Sequence, residues 1–300
     1  DALADALEEQ AVAEGQLPDP KLKFGLKSLP TDTFARDQES MTQLQLGIIQ
    51  SFPRGESREY KAQQSRALAS AERARGDDQG RRSRRAVRLA FLERWFQERS
   101  VELLKENREA FRRLIAVTRS QYASGRDAQQ DVLRAELELS LLEDRIARVR
   151  GDAEAARAEL GRWVGDAAAW PLPDEPPKLP TLPDPETLQT ALTEHPLLRA
   201  EEAGTAAGRA EVKRVRQLYR PGFALDVTYG NRLDAPDGTE RADLLSAMVV
   251  MELPLFPDKR QDRRFAAGQQ RLSAAQSALA ERRLELERQM GTVHARWRAL

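Results

Sequence analysis

The sequence has no cysteine and no excess of charge of either sign. Its 300 residues contain 48 Lys and Arg against 48 Asp and Glu, so the formal net charge at pH 7 is zero. The absence of cysteine excludes disulfide bonds and thiolate metal sites. The charge balance argues against a nucleic-acid-binding protein, because such proteins neutralise phosphates with a basic excess.

Aromatic residues and long apolar runs are also scarce. Phe, Trp and Tyr make up 6% of the chain and charged residues 32%, so a compact globule of this length would have a poor core. No run approaches the roughly 18 apolar residues of a transmembrane helix. A transmembrane β-strand needs only about 9–11 residues with one apolar face, so a membrane protein is not excluded. Ala, Arg, Glu and Leu dominate, a composition typical of long helices and coiled coils.

Two pairs of short segments alternate between apolar and polar residues, which predicts β-strands with one apolar face. A polar loop follows the first strand of each pair, so each pair is predicted as an antiparallel hairpin. The predicted apolar faces carry Leu22, Phe24 and Leu26 with Leu44, Leu46, Ile48 and Phe52 in the first hairpin, and Phe223, Leu225, Val227 and Tyr229 with Leu245, Ala247, Val249, Met251 and Leu253 in the second.

A long helix is predicted from Ser57 to Tyr122, because this stretch contains no proline. Gly76 and Gly80 allow an interruption in its first half. Residues 122–127 predict a tight turn, with Gly125 as a left-handed C-cap and Asp127 as the next N-cap. An apolar stripe is expected along the second half of the helix, through Leu89, Leu92, Phe96, Leu103, Phe111, Leu114, Thr118 and Tyr122.

The helix after the turn has the clearest periodicity in the chain. Two series of residues recur every seven positions and are offset by three, as the a and d positions of five heptads. The first series is Val132, Leu139, Ile146, Ala153 and Leu160, and the second is Ala135, Leu142, Val149, Ala156 and Trp163. Leu133, Leu137 and Leu141 widen the stripe, so this helix is expected to touch more than one neighbour.

An internal repeat organises the chain: helix, proline, strand, polar loop, strand ending in Phe-Pro, long helix. Gln50–Arg54 aligns with Pro254–Asp258 at an offset of 204 residues. We therefore predict a first repeat over residues 1–165, a stiff proline-rich linker over 166–185 and a second repeat over 186–300. The same register predicts a second glycine turn near position 329, so we expect the chain to be part of a longer two-repeat protein.

The sequence resembles the TolC-type outer membrane factor family, the exit channels of tripartite efflux pumps in Gram-negative bacteria. The resemblance covers the whole chain, and its first strand pair is most similar to the branch that serves heavy-metal and related cation pumps. The segments that carry it are Leu17–Leu22, Met41–Gln43, Gly47–Pro53, Gly125 with Asp131–Ala135, His195–Ala200 and Glu252–Phe256.

The resemblance implies a mostly α protein with a small β part: long coiled-coil helical hairpins, and two β-hairpins that contribute four strands to a 12-stranded outer membrane β-barrel shared by a homotrimer. Four strands alone cannot close a conducting barrel, so several chains must combine. The implied function is passive transport from periplasm to exterior. The implied partners are outer membrane lipid, a periplasmic adaptor (membrane fusion) protein and an inner membrane transporter of the resistance-nodulation-division type.

By the same resemblance, the turn at Tyr122, Gly125 and Arg126 is the periplasmic tip, where adaptor hairpins dock. Asp131 stands where the family places an acid that holds the gate shut. The alternative interpretation is that Asp131 is only a first-turn carboxylate favoured by the helix dipole.

Nothing in the sequence predicts an enzyme, a cofactor or a metal site. His195 and His294 are far apart and neither has a second ligand at i+3 or i+4, and no phosphate-binding or nucleophile motif is present. The run Arg81–Arg85 is interpreted as a solvated helix face. Trp95, Trp163 and Trp297 are expected to pack between helices, and Phe223 and Tyr229 fit either an interfacial aromatic girdle or core packing.

Two other classes of protein remain open from the residues. One is a periplasmic adaptor or coiled-coil scaffold without a pore, although the duplicated strand pairs count against it. The other is a soluble helical structural protein whose strand pairs pack on helices.

Overall fold

The computed structural model describes residues 2–126, 128–178 and 180–299. Its elements follow the predicted order closely. In chain order they are α1 (Ala2–Gly15), β1 (Lys21–Lys27), β2 (Gln43–Phe52), α2 (Ser57–Ala123), α3 (Gln129–Val164), α4 (Pro185–Thr193), α5 (Pro196–Arg216), β3 (Gly222–Asn231), β4 (Leu244–Glu252) and α6 (Gln261–Arg298), with 3-10 turns at Gly165–Ala169 and Gln217–Tyr219.

Helix α2 is a single helix of 67 residues, and neither Gly76 nor Gly80 interrupts it. The chain divides into two compact units, one of residues 1–78 with 183–300 and the other of residues 79–182. No helix in the described ranges is both long and apolar enough to cross a membrane.

In the first unit, helices pack through small side chains. Ala4 and Ala11 of α1 are buried, as are Ala62 and Ala69 of α2 at the same spacing of seven residues. Glu14 closes this contact near the end of α1, because it accepts a hydrogen bond from Ser65 at 2.6 Å and pairs with Lys61 at 3.0 Å. Alanine seams of this kind let helix axes approach closely.

Helices α5 and α6 of the first unit also pack through small side chains. Ala200, Ala207 and Ala210 are buried on α5, and a Cβ added to Gly208 would lie 3.4 Å from the Leu272 side chain of α6. Leu192, Leu198 and Leu286 form a hydrophobic cluster that ties α4 to this helix pair.

In the second unit, α3 packs against α2 along the predicted heptads. All ten heptad positions are buried or partly buried, and Ile146, Ala153, Ala156 and Leu160 are fully so. Ion pairs from Arg112 to Glu143 at 3.4 Å and from Arg119 to Glu136 flank the contact. The heptad prediction is therefore confirmed.

The expected stripe on α2 coincides only in part with the face that meets α3, because Leu92, Phe111 and Thr118 are partly buried and the other five residues are exposed. The fully buried residues of this part of α2 are Arg94, Val101 and Ile115, so a charged residue takes one of the inward positions. The guanidinium group of Arg94 is satisfied there by Glu98 at 2.7 Å and the carbonyl oxygen of Trp170 at 3.1 Å. Five residues of the predicted stripe form a separate exposed face: Leu89, Phe96, Leu103, Leu114 and Tyr122.

Candidate functional site

The two predicted hairpins join into one antiparallel sheet of order β1-β2-β3-β4. The contact between hairpins is the β2–β3 ladder, in which Leu46 pairs with Tyr229 and Phe52 with Phe223. This register places most apolar residues of the four strands on one side, together with the polar residues Gln50 and Asn231. We call this side the apolar face: Leu22, Phe24, Leu26, Leu44, Leu46, Ile48, Phe52, Phe223, Leu225, Val227, Tyr229, Leu245, Ala247, Val249 and Met251.

The apolar face is largely uncovered in the chain. Phe24 is 71% exposed, Leu245 75% and Val249 64%. Phe223 and Tyr229, toward opposite ends of β3, are 41% and 48% exposed, so they are not core residues. A contiguous apolar surface on this scale marks a membrane or protein contact rather than a water-exposed surface.

The other side of the sheet, which we call the charged face, has a different composition. Alternation of side chains along each strand places on it Lys21, Lys23, Gly25, Lys27, Gln43, Gln45, Gly47, Ile49, Ser51, Gly222, Ala224, Asp226, Thr228, Gly230, Leu244, Ser246, Met248, Val250 and Glu252. A sheet with one apolar and one polar face is the arrangement of a transmembrane barrel strand set.

A polar network crosses the middle of the charged face. The Nζ atom of Lys23 on β1 lies 2.8 Å from Asp226 on β3, and the Thr228 hydroxyl donates to the same carboxylate at 2.6 Å. Strand β2 lies between these strands and presents Gly47 opposite both Lys23 and Thr228. A Cβ on Gly47 would lie 2.5 Å from the Thr228 hydroxyl and 2.9 Å from the Val227 carbonyl oxygen.

Where the sheet meets the helices, Arg54 connects the end of β2 to the segments that flank β3 and β4. Its guanidinium group donates to Glu252 at 2.8 Å and to the carbonyl oxygen of Leu218 at 2.7 Å. Leu218 precedes β3 and Glu252 ends β4, whereas Arg54 directly follows β2. A cavity of about 870 Å³ opens beside this contact, and its charged lining is Glu14, Asp19, Arg54, Arg58, Lys61, Arg214 and Glu252.

At the opposite end of the sheet, two arginines fasten the loop of the second hairpin to that of the first. Arg241 donates to the carbonyl oxygen of Asp37 at 2.9 Å, and Arg232 donates to that of Ser40 at 3.1 Å. The Tyr229 hydroxyl donates to Asp243 at the end of the same loop. Backbone acceptors of this kind leave no mark in a single sequence, so sequence reasoning missed the contact.

The predicted tip residues lie together in one turn at the end of α2. Gly125 has φ of +72°, and its amide donates to the Tyr122 carbonyl at 2.9 Å. The Arg126 amide donates to the Gln121 carbonyl at 2.9 Å, which completes a Schellman motif. The left-handed C-cap at Gly125 is therefore confirmed, whereas Asp127 lies outside the described residues and Ala128 is the N-cap of α3.

Asp131 lies on the first turn of α3, where its amide donates to the Ala128 carbonyl at 3.0 Å. Its side chain is exposed and makes no hydrogen bond or ion pair within the part of the chain that the structure describes. Both interpretations of Asp131 thus stay open.

The other residues considered in the sequence have structural roles or are exposed to solvent. His195 is the N-cap of α5 and accepts from the Leu197 amide through Nδ1 at 3.2 Å. The four arginines of the run Arg81–Arg85 are exposed. The Trp95 indole donates to the Pro173 carbonyl at 2.9 Å, so it holds the proline-rich segment against α2. Among described residues, no three His, Cys, Asp or Glu side chains are grouped to hold a metal ion.

Comparison with known proteins gives matches by structure alone. No family model matches the sequence, and no curated protein matches it. Among solved structures, a membrane protein from Pseudomonas aeruginosa has a TM-score of 0.79 at 16% identity, over 97% of this chain and 70% of that one.

Two further solved structures agree. The outer membrane protein VceC from Vibrio cholerae has a TM-score of 0.75 at 15% identity, over 99% of this chain and 73% of that one. The CmeC outer membrane channel of Campylobacter jejuni has a TM-score of 0.69 at 11% identity, over 98% of this chain and 66% of that one. The chain therefore has the TolC-like fold of outer membrane channels, as the sequence predicts.

Proposed function

We propose that this chain is the outer membrane exit channel of a tripartite efflux pump in a Gram-negative bacterium. It makes or breaks no bond and conducts solutes passively from the periplasm to the exterior. The observation that carries this proposal is the sheet with its two unlike faces, one apolar and exposed, the other charged. The fold shared with outer membrane channels supports the same function.

The sheet dimensions suit a bilayer. Strands β2, β3 and β4 have 10, 10 and 9 residues, close to the length that a tilted transmembrane strand needs, and β1 is shorter, with 7 residues. Strands β1 and β4 each have one partner among the described strands, so each leaves an edge that can pair with another copy. Three copies closing a 12-stranded barrel is the assembly that we propose.

The partners follow from the proposed assembly. The turn at Tyr122, Gly125 and Arg126 docks a periplasmic adaptor, and the adaptor connects the channel to an inner membrane transporter of the resistance-nodulation-division type. Export of metal cations is a finer proposal, which rests on the resemblance of the first strand pair to the cation branch.

The proposal is tested by two adjacent residues of β4 that are about equally exposed in the chain. Val249, on the apolar face, is 64% exposed, and Met248, on the charged face, is 61% exposed. If the apolar face contacts lipid, Val249→Arg costs about 2–4 kcal/mol near the bilayer midplane, whereas Met248→Arg lies in water and is tolerated.

The measurement is membrane insertion of both variants, read as heat-modifiable trimers in detergent extracts, with channel conductance of the wild type in planar bilayers. We expect trimers from the wild type and from Met248→Arg but not from Val249→Arg. Equal behaviour of the two variants, or a wild type that is monomeric and soluble without detergent, would contradict the channel and favour an adaptor or scaffold.

A further inference from the structure

The charged face of the sheet is more basic than the chain as a whole. It carries three lysines, Lys21, Lys23 and Lys27, against the two carboxylates Asp226 and Glu252. The full sequence is balanced at 48 charges of each sign. The excess on this face therefore reflects the placement of charge, not the overall composition.

Both carboxylates of the face are already paired. Asp226 holds Lys23 at 2.8 Å, and Glu252 holds Arg54 at 2.8 Å. Lys21 and Lys27, at the two ends of β1, have no ion pair within the described ranges. These two ammonium groups are therefore the uncompensated charges of the face, one near the helices and one near the loops.

The cavity beside Arg54, at the end of the charged face nearest the helices, also has more basic than acidic residues in its lining. Four basic side chains line it, Arg54, Arg58, Lys61 and Arg214, against the acids Glu14, Asp19 and Glu252. Arg58 donates to the carbonyl oxygen of Gly15 at 3.2 Å, an acceptor without formal charge.

We propose that the charged face makes the channel prefer small anions over cations, with Lys21 and Lys27 as the residues that set this preference. The inference rests on the proposed function, because the face lines a pore only if several copies close a barrel. In such a barrel each lysine becomes a ring of like charges, and rings of Lys or Arg select anions. A bare metal cation is disfavoured at these rings, so a metal ion would have to pass the lysines as a neutral or anionic complex.

The test is the ratio of chloride to potassium permeability, measured as the reversal potential of the wild type in planar bilayers under a KCl gradient. Low salt is used because ionic strength screens surface charge. We expect chloride to be preferred by at least about twofold, since charged walls raise the local concentration of counter-ions. The double variant K21Q/K27Q should lower this ratio toward unity.

Two further variants make the experiment decisive. Charge reversal in K21E/K27E should invert the preference toward potassium, whereas the conservative K21R/K27R should keep the wild-type ratio. The presence of heat-modifiable trimers confirms that each variant has assembled. If a double variant does not assemble, the permeability ratio is measured on the single variant K27Q instead.

The two proposals fail in different ways. If the wild type gives no conductance, the channel function itself is wrong. If it conducts without preferring chloride, or if charge reversal leaves the ratio unchanged in assembled trimers, the channel function stands and the role of the lysines is overturned.

Discussion

Lys23 and Asp226 form an ion pair of 2.8 Å that passes over strand β2, which separates their own strands. The pair joins the first hairpin to the second and spans the strand that carries Gly47. Because Gly47 has no side chain, β2 leaves the space that this pair and Thr228 occupy.

Gly47→Ala should therefore destabilise the sheet. The added methyl group meets the Thr228 hydroxyl at 2.5 Å and the Val227 carbonyl oxygen at 2.9 Å, and a backbone atom cannot rotate away. Overpacking of this kind costs about 1–3 kcal/mol. The measurement is the temperature at which the assembled protein dissociates in detergent.

The matched control for that substitution is Gly25→Ala, on β1 and the same face, where an added Cβ meets nothing within 4 Å. It should be neutral or slightly stabilising, because alanine restricts the unfolded chain. A similar loss of stability in both variants would mean that strand flexibility, and not the space above β2, is what the glycines provide.

Protonation of Glu14 should loosen the contact between α1 and α2. Burial raises the pKa of Glu14, but hydrogen bonds from Ser65, Gln10 and Lys61 outweigh this effect, so its pKa lies below the ordinary 4.5. A carboxyl whose pKa is lowered on folding contributes stability above the unfolded value, and that contribution is lost as the pH falls through the folded value.

We therefore expect the stability of wild type to fall below about pH 4.5 more steeply than that of Glu14→Gln. At neutral pH, Glu14→Gln should cost on the order of 1 kcal/mol, because charge-assisted hydrogen bonds to Ser65 and Lys61 weaken. Glu9→Gln, an exposed change on the same helix, is the control. Parallel pH profiles for wild type and Glu14→Gln would show that other carboxyls govern the acid transition.

Gly125→Ala should strain the tip, because alanine at φ of +72° costs about 1–2 kcal/mol. The amides of Gly125 and Arg126 close the Schellman motif, so their hydrogen exchange should become faster, and adaptor binding should weaken. Gly151→Ala, in the interior of α3, provides the opposite control and should stabilise its helix by about 0.5–1 kcal/mol. If hydrogen exchange becomes faster but the affinity for the adaptor is unchanged, the tip is not part of the adaptor-docking surface.

Asp131→Ala distinguishes the two interpretations of that carboxylate. If Asp131 holds the gate, the variant should conduct more in planar bilayers and admit more antibiotic into cells. If it only favours the first turn of α3, the variant should lose about 0.3–1 kcal/mol of helix stability with conductance unchanged. Asp152→Ala, on the same helix and away from its first turn, controls for loss of one negative charge.

Much of the fold could be predicted because its signals are local. The alternation around Phe24 and Val249 predicts strands, and the sevenfold spacing from Val132 to Leu160 predicts the buried side of α3. The TolC-type resemblance predicts the fold that the structural matches confirm.

The missed features depend on residues distant in sequence. The apolar pattern through Leu89 and Phe96 gives no sign that Arg94 is buried. A buried guanidinium group cannot be told from a solvated one in the sequence until its acceptors are known, and here these are Glu98 and the Trp170 carbonyl. Gly47 does give a signal in the sequence, since a glycine inside a strand often marks a site where another group approaches the backbone closely. The assignment of the tip and of Asp131 stays a prediction.

The pairing of β2 with β3 also affects the order in which the sheet can form during synthesis. Leu46 and Tyr229 are separated by about 180 residues, and ribosomes add about 5–20 residues per second, so the first hairpin waits roughly 10–40 s for its partner strand. During this interval the edge of β2 that later pairs with β3 is uncovered, and an unpaired strand edge promotes aggregation. The β2–β3 ladder therefore forms late in synthesis, and until then the β2 edge is open to pairing with another strand.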